Sequence, residues 1–235
     1  MNIIKRSIPN LVTCCSLVSG CIASVLALGG DLPMSALWIM IAAVCDFGDG
    51  FAARSLHAYS PLGKELDSLS DMVSFGVAPG MIVYNLLEQA CVAAPFSGEV
   101  ARYLPYMAFV IPVFSGLRLA KFNIDERQTI SFIGMPVPAH ALFWASVGYT
   151  LDSGVPAGSL GFIVAIIAVA IVFSLLLVSE IPMFSLKIKS LKWKGNELRY
   201  ILVGGAVLFV ALFGVLGIAG TILLYIALSF FNKRR

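Results

Sequence analysis

Residues 34–87 read MSALWIMIAAVCDFGDGFAARSLHAYSPLGKELDSLSDMVSFGVAPGMIVYNLL. Asp46 and Asp49 lie near the end of the apolar run Met34–Phe51, and Asp67 and Asp71 close the connection that leads to the next run, Met72–Leu87. Apolar runs of roughly 17–25 residues are what a bilayer-spanning helix requires. Ionisable groups at membrane depth are costly, so those that occur there are functional candidates.

The same texture extends through the chain. Of 235 residues, 59% are hydrophobic and 12% charged, against about 25% charged in an ordinary soluble domain. Eight apolar segments are expected to be helical: Leu11–Leu28, Met34–Phe51, Met72–Leu87, Tyr103–Leu119, Ala139–Leu151, Leu160–Val178, Ile201–Val215 and Ile218–Phe231. The last two are joined at Gly214, Gly217 and Gly220 and read as a tight hairpin or as one long broken helix. The prediction is an all-α polytopic membrane bundle of about eight transmembrane helices, forming one domain over residues 1–235, with its C-terminal helices at 199–231. Lys5 and Arg6 before an apolar stretch resemble a signal peptide. The stretch is long enough to span, however, and it holds the polar Asn10 and Thr13, so it is read as a retained helix.

Charge placement sets the orientation. If the segments alternate sides, one side receives Lys5, Arg6, Arg54, Lys64, Arg118, Lys121, Arg127, Lys187, Lys189, Lys192, Lys194, Arg199, Lys233, Arg234 and Arg235, and the other only Arg102. Basic residues favour the cytoplasmic side, which puts both termini in the cytoplasm. The Lys187–Lys194 stretch reads as a topology determinant or as an attractor of anionic headgroups. Cys14, Cys15, Cys21, Cys45 and Cys91 lie in or beside apolar runs without zinc-like spacing, and read as small hydrophobic side chains. No nucleic-acid partner is implied.

On a helix, Asp46 and Asp49 (i, i+3) share a face, as do Asp67 and Asp71 (i, i+4). Two helix ends would then present four carboxylates to one cavity. Such a group cannot all stay ionised without compensation. Hard cations with a preference for oxygen, Mg2+ or Mn2+, supply it. Two metals among carboxylates form a clamp suited to phosphoryl transfer. Gly50, Ala53 and Gly63 would let a bulky ligand approach the backbone, and Arg54 offers a fork for phosphate. The plainer alternative is a set of helix-end acids paired with Arg54 and Lys64.

The run fits D-x2-D-G-x2-A-R-x8-G-x3-D-x3-D at every fixed position. It resembles the signature of the CDP-alcohol phosphatidyltransferase family. The resemblance implies a helical, usually dimeric membrane enzyme, here a homodimer of the cell (inner) membrane with its site facing the cytoplasm. It implies a two-metal site at Asp46, Asp49, Asp67 and Asp71, with Asp71 as the general base. It implies CDP-diacylglycerol binding at Asp46, Asp49, Gly50, Ala53, Arg54 and Gly63. The reaction implied is attack of an alcohol on the phosphorus bearing the diacylglycerol, with CMP leaving. No nucleophile sits beside an activating base, so direct displacement is expected. Phosphatidylserine synthesis elsewhere uses a His-x-Lys motif, which neither His57 nor His140 fits.

The acceptor is read from further resemblance. Ile8–Thr13 with Ser16 and Gly20, the stretch 115–123, Phe132–Ala139 and the stretch 178–185 are similar to the branch that uses L-serine, although Ser16 stands where that branch often has Asn. Asn10 and Thr13, one turn apart, are expected to face the nucleotide, with a helix cap as the alternative for Asn10. Arg118 and Lys121 fall on one helical face. They could hold a serine carboxylate, a phosphate of another acceptor, or only anchor the helix at the interface. Asn123 could orient the amino acid. Ser179 could face the cavity or bond back to its own helix. Pro136 and Pro138 are expected to shape the entry to the fifth helix. Glycerol 3-phosphate, inositol phosphate or an amino-alcohol remain alternative acceptors. A divalent-cation transporter is the rival from another class, although the acids cluster at one membrane face and no internal repeat is visible.

Overall fold

The computed structural model describes residues 3–92, 98–125, 132–152, 154–184, 193 and 196–232. The chain runs α1 (Ile3–Leu28), α2 (Leu32–Ser55), α3 (Pro61–Asp71), a π-helical segment (Met72–Val77), α4 (Ala78–Cys91), α5 (Gly98–Tyr103), a 3-10 turn (Leu104–Phe109), α6 (Val110–Ile124), α7 (Val137–Leu151), α8 (Leu160–Val178), α9 (Glu197–Phe213) and α10 (Leu216–Asn232). All eight expected segments are helical, and the protein is an all-α integral membrane protein. Four stretches, Ser7–Leu28, Leu32–Ser55, Gly98–Ile124 and Leu160–Val178, are each long and apolar enough to cross a membrane. Helices α4, α7, α9 and α10 are shorter, at 14 to 17 residues. At 1.5 Å per residue, 17 residues rise about 26 Å, just under a hydrocarbon core of about 30 Å.

Two expectations change in detail, and one open choice is resolved. Helix α1 starts at Ile3, with Pro9 inside it, so Asn10 is an interior residue and not a cap. The third segment is not a separate helix, because α3, the π segment and α4 run on from Pro61 to Cys91. Its change of register begins directly after Asp71, and such π segments are frequent at functional sites. The last two segments form the hairpin, turning at Gly214 with φ +59, a left-handed value that glycine adopts without steric cost. The expected alternative of one broken helix does not occur.

Local chemistry sets the helix ends around the acidic connection. The Asp31 side chain accepts from Met34 N at 3.1 Å at the start of α2. The Ser60 hydroxyl accepts from Gly63 N at 3.0 Å at the start of α3, with Pro61 in the first turn. Pro136 caps α7 and Pro138 lies in its first turn.

Serine hydroxyls bond across the first helices. Ser16 donates to Ala42 O at 3.1 Å, Ser35 to Ala23 O at 2.8 Å, Ser70 to Thr13 O at 3.2 Å and Ser74 to Ser16 O at 2.9 Å. Small polar residues at interfaces let membrane helices pack closely without a hydrophobic driving force. Gly20 has no room for a side chain, since a Cβ there would lie 2.6 Å from Ser74 Cα. This contact seats α1 directly against the π-helical segment that follows Asp71.

A two-residue antiparallel pair, β1 (Phe132–Ile133) with β2 (Pro182–Met183), ties the α6–α7 connection to the chain after α8. Of the basic residues behind the expected orientation, Arg127, Lys187, Lys189, Lys192, Lys194, Lys233, Arg234 and Arg235 lie outside the described residues, as do the side chains of Lys5 and Arg6.

Candidate active site

Three helices build the cleft. Helix α2 contributes Asp46, Asp49, Gly50, Ala53 and Arg54, α3 contributes Gly63, Asp67 and Asp71, and α1 contributes Asn10 and Thr13. The α2–α3 turn passes through His57, whose φ of 52 is left-handed, and both helices pack on α1. Carboxylate oxygens of Asp46, Asp49 and Asp67 lie within 4.8 Å of one another. Asp71 adjoins Asp46 on the inner side of this group.

A cavity of about 230 Å³ opens beside the acids. Its walls include Asn10, Thr13, Asp49, Gly50, Ala53, Arg54, Gly63 and Asp67. Asp46 and Asp71 are not in its lining. The Arg54 guanidinium folds over Gly50, where a Cβ would stand 3.5 Å from Nη1. Gly63 faces Asn10, and a Cβ at Gly63 would lie 3.0 Å from both Asn10 Oδ1 and Ser60 Oγ. Thr13 donates to Pro9 O at 3.0 Å and sits beside the Asp49 carboxylate.

Two buried carboxylate oxygens, Asp49 Oδ2 and Asp71 Oδ1, have no hydrogen-bond partner. A buried charge-bearing oxygen without a partner is strongly disfavoured. Oxygen donors so arranged fit a hard divalent cation, and no His or Cys belongs to the group.

The residues expected at the acceptor are spread more widely. Arg118 is 7% exposed. Its Nε donates to Met135 O at 2.9 Å, its guanidinium lies 5.3 Å from the Phe122 ring centre, and Asp71 is within electrostatic reach. Lys121 points elsewhere, forming an ion pair with Glu180 at 2.6 Å with both side chains part-exposed. Asn123 donates to Ser68 Oγ at 2.9 Å, while its carbonyl accepts from Lys64 at 3.2 Å, so it ties the end of α6 to α3. Ser179 bonds back to Leu176 O at 2.9 Å, which is the helix-end alternative of its two readings.

The sequence assigned no role to Pro9, Ala58, Tyr59 or Ser60, which also line the cavity, as does Lys64. Their place inside the signature, or one residue from Asn10, was the available signal. Tyr225 on α10 gave no signal, because it is one aromatic in an apolar helix far along the chain.

The site is an acid cluster beside a small-residue, arginine-bearing cleft in a polytopic helical membrane protein. The comparison with known families makes this specific. The model of the CDP-alcohol phosphatidyltransferase family matches residues 6–184, and the chain belongs to that family. It is 36% identical over 145 residues to the CDP-diacylglycerol–serine O-phosphatidyltransferase of Bacillus subtilis, covering 62% of this chain and 77% of that protein. It is 31% identical to the archaetidylserine synthase of Methanothermobacter thermautotrophicus, covering 58% of this chain and 55% of that protein. It is 34% identical to the CDP-diacylglycerol–serine O-phosphatidyltransferase of Helicobacter pylori strain J99, covering 57% and 54%. The match thus spans about half the length of the latter two relatives.

Proposed function

We propose that this protein transfers the phosphatidyl group of CDP-diacylglycerol to L-serine, giving phosphatidylserine and CMP, at the cytoplasmic face of the cell membrane. The observation that carries this reading is the cluster of Asp46, Asp49 and Asp67, with oxygens within 4.8 Å, opening onto the cavity lined by Gly50, Ala53, Arg54 and Gly63. The names of the serine-using relatives support serine as acceptor. The basic residues gathered on one side by the sequence support the orientation, and the family resemblance supports a homodimer.

Asn10, Thr13, Gly50, Ala53, Arg54 and Gly63 receive the cytidine diphosphate portion. Gly50 and Gly63 leave room against the backbone, and Arg54 pairs with the diphosphate. Asp46, Asp49, Asp67 and Asp71 hold two divalent cations, Mg2+ or Mn2+. When bound, such cations would supply positive charge to offset the diphosphate and the departing phosphate. Arg118, within electrostatic reach of Asp71, receives the serine carboxylate, while Lys121 is held by its ion pair with Glu180. Asp71 accepts the proton of the serine hydroxyl as its oxygen attacks the phosphorus bearing the diacylglycerol. The bond from that phosphorus to the CMP oxygen breaks as the new bond forms, so no enzyme-bound phosphatidyl group arises. Isolation of a covalent lipid adduct would refute this step.

The test uses purified protein in detergent with CDP-diacylglycerol and Mn2+ or Mg2+. CMP release is followed with serine, glycerol 3-phosphate, inositol phosphate and ethanolamine in turn. Serine-dependent release, lowered about 10²–10⁴-fold by Asp71→Asn, is the expected result. Release with a different acceptor would keep the cleft chemistry and overturn the choice of serine.

A further inference from the structure

Residues beyond the family-matched span 6–184 include α9 and α10. One of their side chains reaches the acceptor side of the site. Tyr225 on α10 is 6% exposed, and its hydroxyl donates to Phe184 O at 3.1 Å. Its ring packs against Phe184 with centres 5.0 Å apart and planes at 58°. The Arg118 guanidinium stands within electrostatic reach of the Tyr225 hydroxyl.

A short chain of hydrogen bonds joins the two residues. Phe184 follows β2, whose Met183 and Pro182 pair with Phe132 and Ile133 of β1. Next in sequence, Gly134 N donates to Ile181 O at 2.9 Å and Met135 N to Leu176 O at 3.0 Å. Met135 O then accepts from Arg118 Nε. The guanidinium therefore hangs from a carbonyl whose position depends on the β1–β2 pair, and Tyr225 pins the far end of that pair. Among the described residues, Nε–Met135 is the one hydrogen bond of Arg118 within the protein, so the carbonyl's position, together with the Phe122 ring, helps set where the fork points.

We propose that Tyr225 is a positioning residue for Arg118, so that the C-terminal hairpin helps set affinity for the acceptor's carboxylate. This rests on the reading of Arg118 as the acceptor-binding group. Tyr225 does not touch the reacting atoms, and its loss changes acceptor binding more than turnover.

The experiment measures KM and kcat for serine and KM for CDP-diacylglycerol in Tyr225→Phe, Tyr225→Leu, Leu224→Ala and Arg118→Ala. Leu224 packs on Gly205 of α9, so its truncation loosens the hairpin without removing the hydroxyl. A hydrogen bond contributes about 0.5–1.5 kcal/mol net, which is about 2- to 12-fold in affinity. The expected result is a rise of that size in serine KM for Y225F and Y225L. The KM for CDP-diacylglycerol stays unchanged, kcat stays within about twofold, and L224A behaves like the parent. An unchanged serine KM in Y225F or Y225L overturns the proposal, as does an equal rise in L224A. An unchanged serine KM in R118A refutes instead the reading of Arg118 on which the proposal rests. A rise in R118A with none in Y225F sinks the Tyr225 role alone.

Discussion

Asp49 and Asp71 each bury a carboxylate oxygen without a hydrogen-bond partner, and the acids gathered around Asp71 add negative charge that a cation would offset. Chelation is therefore expected to abolish CMP release and Mg2+ or Mn2+ to restore it. Asp67→Asn, which keeps the shape and removes a charge, raises the metal concentration needed for half-maximal activity by at least tenfold. A metal titration of activity, repeated with a melting curve at each concentration, checks this. The same titration leaves Arg54→Lys with its metal requirement intact and its KM for CDP-diacylglycerol raised, because Arg54 sits over Gly50 in the cavity and outside the acid cluster. Gly63 is a matter of space. Valine there would press on Asn10 Oδ1 and Ser60 Oγ, both 3.0 Å from its Cβ. The expected outcome is a folded protein with at least a tenfold higher KM for CDP-diacylglycerol and little change for serine.

At the scale of the element, the acids act together because α2 and α3 both pack on α1, which brings carboxylate oxygens of Asp46, Asp49 and Asp67 within 4.8 Å of one another. The periodicities i, i+3 and i, i+4 were legible in the sequence and did place each aspartate pair on one helix. The continuity of α3 into α4 was not, because Gly76, Pro79 and Gly80 look like breakers when read locally. In the bundle they are close-approach points, with Gly76 against Ser115 and Gly80 against Pro112, where a Cβ at either glycine would be 3.0 Å from its neighbour. Gly134 supplies a prediction for the β1–β2 pair. Its φ is +76, and a Cβ would stand 2.5 Å from Leu177 O and 3.0 Å from Ser179 O. Gly134→Ala is expected to destabilise the protein by about 1–3 kcal/mol, read as a lower melting temperature in detergent. It should also weaken serine binding, since Met135 O, the next residue's carbonyl, carries Arg118.

For the whole molecule, the orientation follows from charge and not from packing. The proposed eight crossings put Lys64 and the acidic cleft on one side of the membrane and Glu99 on the other. In a background with Cys14, Cys15, Cys21, Cys45 and Cys91 replaced by alanine, a single cysteine at Lys64 should react with an impermeant thiol reagent only in inside-out vesicles. One at Glu99 should react only in right-side-out vesicles. Labelling of both from one side would remove the eight-span topology and leave the cleft chemistry standing. The short helices α7, α9 and α10 make this a useful measurement, because their lengths alone sit at the lower limit for spanning.

The sequence by itself determined the membrane class, the helices and the makeup of the acidic cleft. Hydrophobic run length, helical periodicity and an eight-position motif are all local properties, carried within 26 consecutive residues at the site. Only the tertiary structure decided which of the basic and polar residues elsewhere belong near it. Arg118 and Lys121 are three residues apart on one helix, yet one is buried within electrostatic reach of Asp71 and the other is drawn off to Glu180. Tyr225 reaches the Arg118 side from the far end of the chain. Those outcomes depend on which helices pack together and which carbonyls are left to accept a hydrogen bond, and such contacts between distant segments leave no periodic trace in the sequence of either partner.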